Sequence, residues 1–260
     1  MDYTLNVHGL LMDLRVPQVM GILNATSDSF YAESRSQTET EITERCQQIV
    51  SEGGTIIDVG ACSTRPGAEV ASEAEEMERL RFALAVVRRE QPAAVVSVDT
   101  FRPDVARMAV EEFGADIIND VSEGTPEMFR MVARLGIPYI LMSVQPTMRD
   151  TLLVFAQKVQ QLRDFGAKDI ILDPGFGFGK TLEQNYQMMN ELERLRVMEL
   201  PVLVGVSRKS MIYKKFDCKP DEALNGTTSL NTIALMKGAD ILRVHDVREA
   251  VECVQIVNSL

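Results

Sequence analysis

The feature that most constrains this chain is one pattern repeated eight times along its length. Short runs of β-branched and apolar residues recur at QVMGILN, TIIDVG, AVVSVDT, DIINDV, PYILMS, DIILDPG, PVLVGVS and DILRVHD. Each is continuously apolar instead of alternating, as expected of strands buried on both faces of a parallel sheet. Between them lie helix-length segments with apolar residues three and four apart. In the first, Ile42, Cys46, Ile49 and Val50 share a face, and Gly53-Gly54 end the helix. The rest are expected over 72–90, 103–113, 126–135, 150–166, 181–197, 221–237 and 247–258, with Pro103, Pro126 and a capping Asp150 marking three starts.

Eight strand–helix units without a linker or low-complexity tract predict an α/β fold, a (β/α)8 TIM barrel forming a single domain over 1–260. A doubly wound open sheet is the alternative, but it seldom uses eight such regular units. Residues 1–18 fall outside the repeat. Their LNVHGLLMDL stretch suggests an N-terminal extension, a hairpin or lid closing the lower end of the barrel.

Composition narrows the partners. Hydrophobic residues make up 45% of the chain and charged residues 25%, enough for a sizeable core. A net charge of -11 argues against nucleic acid or an anionic membrane as the main partner. It leaves room for a small anionic substrate, since a local basic cluster outweighs a distant acidic shell. The N-terminus lacks a basic signal-peptide region, and no apolar run approaches the roughly 20 residues of a membrane span. Cys46, Cys62, Cys218 and Cys253 show no metal-binding or disulfide spacing, which suits reduced thiols in the cytoplasm.

The polar residues fall in a telling place. The apolar runs end in Asn24, Asp58, Asp99, Asn119, Ser143, Asp173, Ser207 and Arg243. In a parallel barrel those ends open on one face. Burying an unpaired carboxylate is costly, so a core made only for stability does not require so many acids there. Some of the set would cap the following helices, Asp58 being the strongest candidate; the set as a whole predicts a ligand pocket.

The stretch LDPGFGFGKT resembles a phosphate-cradling loop, but the first glycine of G-x-x-x-x-G-K-[ST] is replaced by Pro174, which has no N–H to donate. Asp173 just before it would repel phosphate. The expectation is instead a recognition acid, with Gly175 and Gly177 turning the chain tightly above it.

Taken in order, MGILNATSDSF, STRPGA, SVDT, IINDV, DPGFGFGKTLEQNY, GVSRKSMI and GTTSLNTIALMKGADILRVHDV are similar to the dihydropteroate synthases of the folate pathway. The resemblance runs from about residue 17 to the end. It implies an enzyme joining 6-hydroxymethyl-7,8-dihydropterin pyrophosphate to p-aminobenzoate, a homodimer, a Mg2+ ion, and inhibition by sulfonamides. By motif, Asp99, Asn119, Asp173, Lys209 and Phe178 would hold the pterin. Phe30, Thr64, Arg65, Pro66 and Ser210 would hold p-aminobenzoate. Asn24, Thr64, Arg243 and His245 would hold pyrophosphate, with Asn24 also the metal-associated position. Arg243, His245, Lys209 and Arg65 would form the catalytic set. Arg243 and His245 lie two apart on the last strand, so they share a side. His8 is given no role.

This chain departs from the family's pattern at three places. Ala32, followed by Glu33, stands where an acid is usual; Ser143 stands where a histidine is frequent; Cys62 replaces a common glutamate. All three lie outside the expected pterin pocket. Two other readings of the same barrel are a pterin-dependent methyltransferase and a non-catalytic pterin-binding paralogue. STRPG and SRKS favour the synthase.

Overall fold

The computed structural model describes residues 3–25, 35–62 and 71–260. It opens with an antiparallel hairpin, β1 (Thr4–Val7) and β2 (Leu10–Asp13). His8 and Gly9 form its two-residue turn with φ of 48° and 81°. Positive φ at both positions matches the twist of the flanking strands.

Eight parallel strands follow: β3 (Gln18–Asn24), β4 (Ile56–Gly60), β5 (Val95–Asp99), β6 (Ile117–Asp120), β7 (Tyr139–Met142), β8 (Ile170–Asp173), β9 (Leu203–Val204) and β10 (Ile241–Val244). Their order, β8-β7-β6-β5-β4-β3-β10-β9, is closed by a parallel bridge between Leu172 and Val202. The helices α1 (Arg35–Ser51), α2 (Glu73–Glu90), α3 (Pro103–Phe113), α4 (Pro126–Leu135), α5 (Met148–Asp164), α6 (Leu182–Asn190), α7 (Ser210–Phe216), α8 (Leu224–Met236) and α9 (Val247–Val257) lie between and after them. The fold is the expected (β/α)8 barrel.

Side chains alternate cleanly across the barrel wall. Outward residues such as Val19, Val59, Val98, Leu141, Leu172 and Val244 pack with the helices. Inward residues Met20, Ile56, Ile117, Ile140, Ile171, Leu203 and Ile241 form a separate apolar tier. Leu5, Val7 and Leu14 pack against that tier from the hairpin side, so the hairpin stoppers the lower end. Each such side chain, fully buried, contributes roughly 1.5–3 kcal/mol.

Several helix boundaries differ from expectation. α5 is capped by Thr147, whose hydroxyl accepts from the Asp150 amide at 3.2 Å, so Asp150 sits inside the first turn. The segment expected as one helix over 181–197 breaks after α6 into a 3-10 turn, Leu192–Met198. Leu192 and Leu195 are its buried residues, and their three-residue spacing suits that tighter turn. α7 has no counterpart in the sequence reading, and α8 starts later than expected, after a 3-10 turn at Pro220–Glu222. On α1, Ile42, Cys46 and Ile49 are buried, but Val50 is 40% exposed and falls off that face.

A polar cup at the upper end of the barrel

Two residues beyond the apolar tier, the inward positions change character. Ile56 is followed by Asp58, Ile117 by Asn119, Ile171 by Asp173 and Ile241 by Arg243. Sheet register sets Asp99 beside both Gly60 and Asn119. Gly60 lacks a side chain there, and a Cβ on it would lie 3.4 Å from the Asp99 Cβ.

Arg243 is the hub of the cup. Its Nε donates to Asp58 Oδ2 and its Nη2 to Asp99 Oδ2, both at 2.7 Å. Asp58 also accepts from Asn119 Nδ2 at 3.2 Å. Asp58, expected to cap a helix, is therefore an interior residue. It is fully buried, and an unpaired carboxylate there would be prohibitive, so its position depends on Arg243. Burial works against the Arg243 charge, but Asp58 and Asp99 more than offset it and hold the guanidinium above the ordinary arginine range. Burial pushes Asp99 up, against the pull of Arg243, with the neighbouring Asp58 carboxylate adding to the rise. Asn119 keeps one buried amide oxygen without a partner.

Asp173 closes the other side. Burial raises its pKa, while Lys209 and the Gly175 amide, which donates to Oδ1 at 2.8 Å, pull the other way. Gly175 has φ of 67°, and a Cβ on it would sit 2.2 Å from the Ser143 carbonyl oxygen. Only glycine fits that turn. The Lys209 Nζ donates to the Phe176 carbonyl at 2.5 Å and lies 4.8 Å from the centre of the Phe178 ring. Burial lowers Lys209 to about 8 despite Asp173. Lys180, the lysine of the phosphate-loop look-alike, donates to the carbonyls of Ser143, Gly175 and Phe178 at 3.0–3.2 Å. It braces the glycine turn, and Thr181 caps α6. The stretch is an internally braced glycine turn leading into α6.

His245 continues the inward face of β10. Ser207 Oγ accepts from the His245 amide at 3.1 Å and lies 3.0 Å from Nδ1. The Ser207 hydroxyl thus ties the His245 ring to its own backbone and fixes the ring's orientation. Burial, with Arg208 and Arg243 nearby, lowers His245 to about 4, so the ring is neutral. Asn24 ends β3 exposed, and Ser210, half-buried, begins α7 directly after Lys209. Ser143 is turned aside: its hydroxyl and the Val144 amide both donate to Glu123 Oε1. Glu123 was not singled out by sequence, nor was the buried Glu76–Arg102 pair, whose Arg102 Nη2 donates to the Ala71 carbonyl at 2.6 Å. Both acids sit in ordinary helix or loop context, where no strand-end pattern marks them. Phe30, Ala32, Glu33, Thr64, Arg65 and Pro66 lie outside the described residues.

Asp99, Asn119, Asp173, Lys209 and Arg243 thus face one another across a single cup, which can grip a flat ligand with donors along one edge and acceptors along another. The family model for pterin binding enzymes matches residues 20–245, and the chain belongs to that family. Its relatives within that family include dihydropteroate synthases. The Escherichia coli K12 dihydropteroate synthase is 38% identical over 96% of this chain and 94% of its own. A Xanthomonas albilineans dihydropteroate synthase solved with 4-aminobenzoic acid superposes with a TM-score of 0.92 at 31% identity, covering 100% of this chain and 98% of that one. A Yersinia pestis dihydropteroate synthase in a sulfonamide drug complex gives a TM-score of 0.90 at 37% identity, covering 99% and 98%.

Proposed function

We propose that this chain condenses 6-hydroxymethyl-7,8-dihydropterin pyrophosphate with p-aminobenzoate, giving 7,8-dihydropteroate and pyrophosphate. The observation that supports this most is the meeting of Asp99, Asn119, Asp173, Lys209 and Arg243 in one largely buried cup. A pterin edge carries an amine and ring N–H in guanidine-like array, to which a carboxylate such as Asp173 accepts two parallel bonds. The free oxygen of Asn119 and the carboxyl of Asp99 read the rest of that edge. Lys209 donates to the ring's acceptor side, and Phe178 borders it. Hydrogen bonds to charged groups contribute roughly 1.5–3 kcal/mol each, so two or three set the orientation.

The pyrophosphate end is assigned to Arg243, His245 and Asn24 at the upper rim, with Thr64 added by its motif. When the exocyclic C–O bond breaks, its electron pair leaves with pyrophosphate and the dihydropterin ring spreads the positive charge. The aryl amine lone pair then forms the C–N bond, and the amine proton passes to solvent or pyrophosphate. The protein's work is to stabilise the leaving group and hold the two reactants together. Phe30, Thr64, Arg65 and Pro66 hold p-aminobenzoate, and Ser210 takes its carboxylate.

Among the described residues, no group of three or more His, Cys, Asp or Glu is arranged to hold a metal. Asn24 offers one neutral, exposed oxygen at the pyrophosphate end. That donor set fits Mg2+ arriving on the substrate's phosphates with most of its waters kept. Held beside Asn24, such an ion would supply charge neutralisation to the leaving group. The four cysteines are free, which suits a cytoplasmic setting, and among the described residues no helix is long and apolar enough to cross a membrane. The neighbouring helices α7–α9 expose Phe216, Ile233, Met236 and Ile256, a surface suited to a homodimer.

Incubation with both substrates and product analysis tests the reading. Pyrophosphate release should depend on p-aminobenzoate and Mg2+. Tight pterin binding without turnover would point to a binding paralogue instead.

A further inference from the structure

The pairing between β3 and β10 stops at Gly21 and Val244, one residue short of Ile22 and His245. Beyond that point the two strand ends are joined by a side chain from α1. Arg45 Nε donates to the Ile22 carbonyl at 3.0 Å, and its Nη2 donates to the His245 carbonyl at 2.7 Å. The third arm, Nη1, donates to Gln48 Oε1 at 2.9 Å, which fixes the guanidinium from its own helix. The same guanidinium borders a cleft of about 260 Å³ together with Asn24, Thr38 and Glu41. Burial lowers the Arg45 pKa, and Arg208 adds to that. Arg45 also contributes to holding His245 neutral.

This is an expensive arrangement for a simple structural tie. Two carbonyls at a barrel rim can be hydrated, whereas a half-buried guanidinium loses solvation that the nearby Glu52 and Asp246 only partly restore. The location explains it: Ile22 lies two residues before Asn24, and His245 carries the neutral ring. We infer that Arg45 is a positioning residue for the pyrophosphate end of the site. It fixes the spacing of Asn24 and His245 through their strand backbones and sets a positive charge behind them. The planar fork makes this role specific to arginine, because a lysine can reach one carbonyl but cannot bridge two at fixed angles. The inference rests on the proposed assignment of Asn24, Arg243 and His245 to pyrophosphate.

The test separates the two ends of the ligand. Binding of inorganic pyrophosphate with Mg2+, and of a dihydropterin lacking the pyrophosphate group, is measured by calorimetry for the wild type, Arg45→Met and Arg45→Lys. KM for the pyrophosphate ester and thermal melting are measured alongside. Arg45→Met should weaken pyrophosphate binding and raise KM for the ester by about tenfold, equivalent to about 1.4 kcal/mol, with free pterin affinity held within about twofold. Arg45→Lys should recover less than half of that loss while melting like the wild type, and it decides the matter if Arg45→Met does not fold. Unchanged pyrophosphate binding in Arg45→Lys, or an equal loss for pterin and pyrophosphate, would overturn the inference. If the wild type itself binds no pyrophosphate, the site assignment fails first, and the two failures are told apart by that control.

Discussion

The two ends of the barrel interior are built on the same eight strands and obey opposite rules. At the lower end, Ile56, Ile117, Ile171 and Ile241 meet Leu5, Val7 and Leu14 of the hairpin in a dry tier. Two residues further along those four strands stand Asp58, Asn119, Asp173 and Arg243, with Arg243 ion-paired to Asp58 and Asn119 left with an unpartnered oxygen. A shift of one pleat therefore separates groups that hold the fold from the groups proposed to hold the ligand. Buried ion pairs are poor stabilisers compared with apolar packing of similar volume, which supports the proposed ligand-binding role of the polar tier.

Removing the hub of the upper tier should give the largest effect. Arg243→Ala leaves Asp58 and Asp99 buried side by side, a loss expected at about 3–5 kcal/mol in urea unfolding, together with loss of turnover. An effect under about 1 kcal/mol would mean that the acids are hydrated and the tier is not sealed. At the lower end, Leu5→Ala should cost about 2–5 kcal/mol while leaving the pterin affinity of the folded protein intact. If it weakened pterin binding as much as it weakened the fold, the two ends would not be separable.

Lys209 sharpens the contrast through pH. Its proton leaves near 8 in the folded protein, against 10.5 for the ordinary side chain, because burial disfavours the charge. Pterin affinity should therefore fall as pH rises through about 8, and Lys209→Arg should move that limb upward. Stability should run the other way. Between 8 and 10.5 the unfolded chain binds more protons at this residue than the folded one, so its contribution to stability rises with pH over that window and is lost on going back down through 8. A titration of pterin binding that is flat from pH 7 to 9.5 would remove Lys209 from the pocket. The smallest effect belongs to Leu10, 76% exposed at the hairpin tip: Leu10→Ser should stay within about 0.5 kcal/mol of the wild type.

The barrel was legible because parallel strands are buried on both faces and appear as eight continuous apolar runs. That same continuity hid the parity of each strand. In IIDVG the acid sits among apolar neighbours on both sides, so Asp58 looked like a cap; only register with Ser97, two before Asp99 on β5, shows that it points inward. A charged residue in the middle of a wholly buried run needs a distant partner, and that was the available signal. The α7 helix was missed because SMIYKKF is too short to show helical periodicity. Arg45 escaped because an arginine on a polar helix resembles any solvated one until the two carbonyls that it bridges, in strands far apart in sequence, are brought together. The strand-end motifs did bring Asp99, Asn119, Asp173, Lys209 and Arg243 to one cup, since each motif sits at a strand end and strand ends share a face.

The most direct measurement compares two variants on one strand. Asp173→Asn and Ile171→Ala sit a single pleat apart on β8, and both can be assayed for dihydropterin binding by calorimetry and for melting temperature. The expected result is a double dissociation: Asp173→Asn loses pterin affinity by at least about tenfold, the worth of one charged hydrogen bond, and melts like the wild type, whereas Ile171→Ala melts lower and binds normally. An unchanged pterin dissociation constant in Asp173→Asn would contradict the assignment of the upper tier to the ligand.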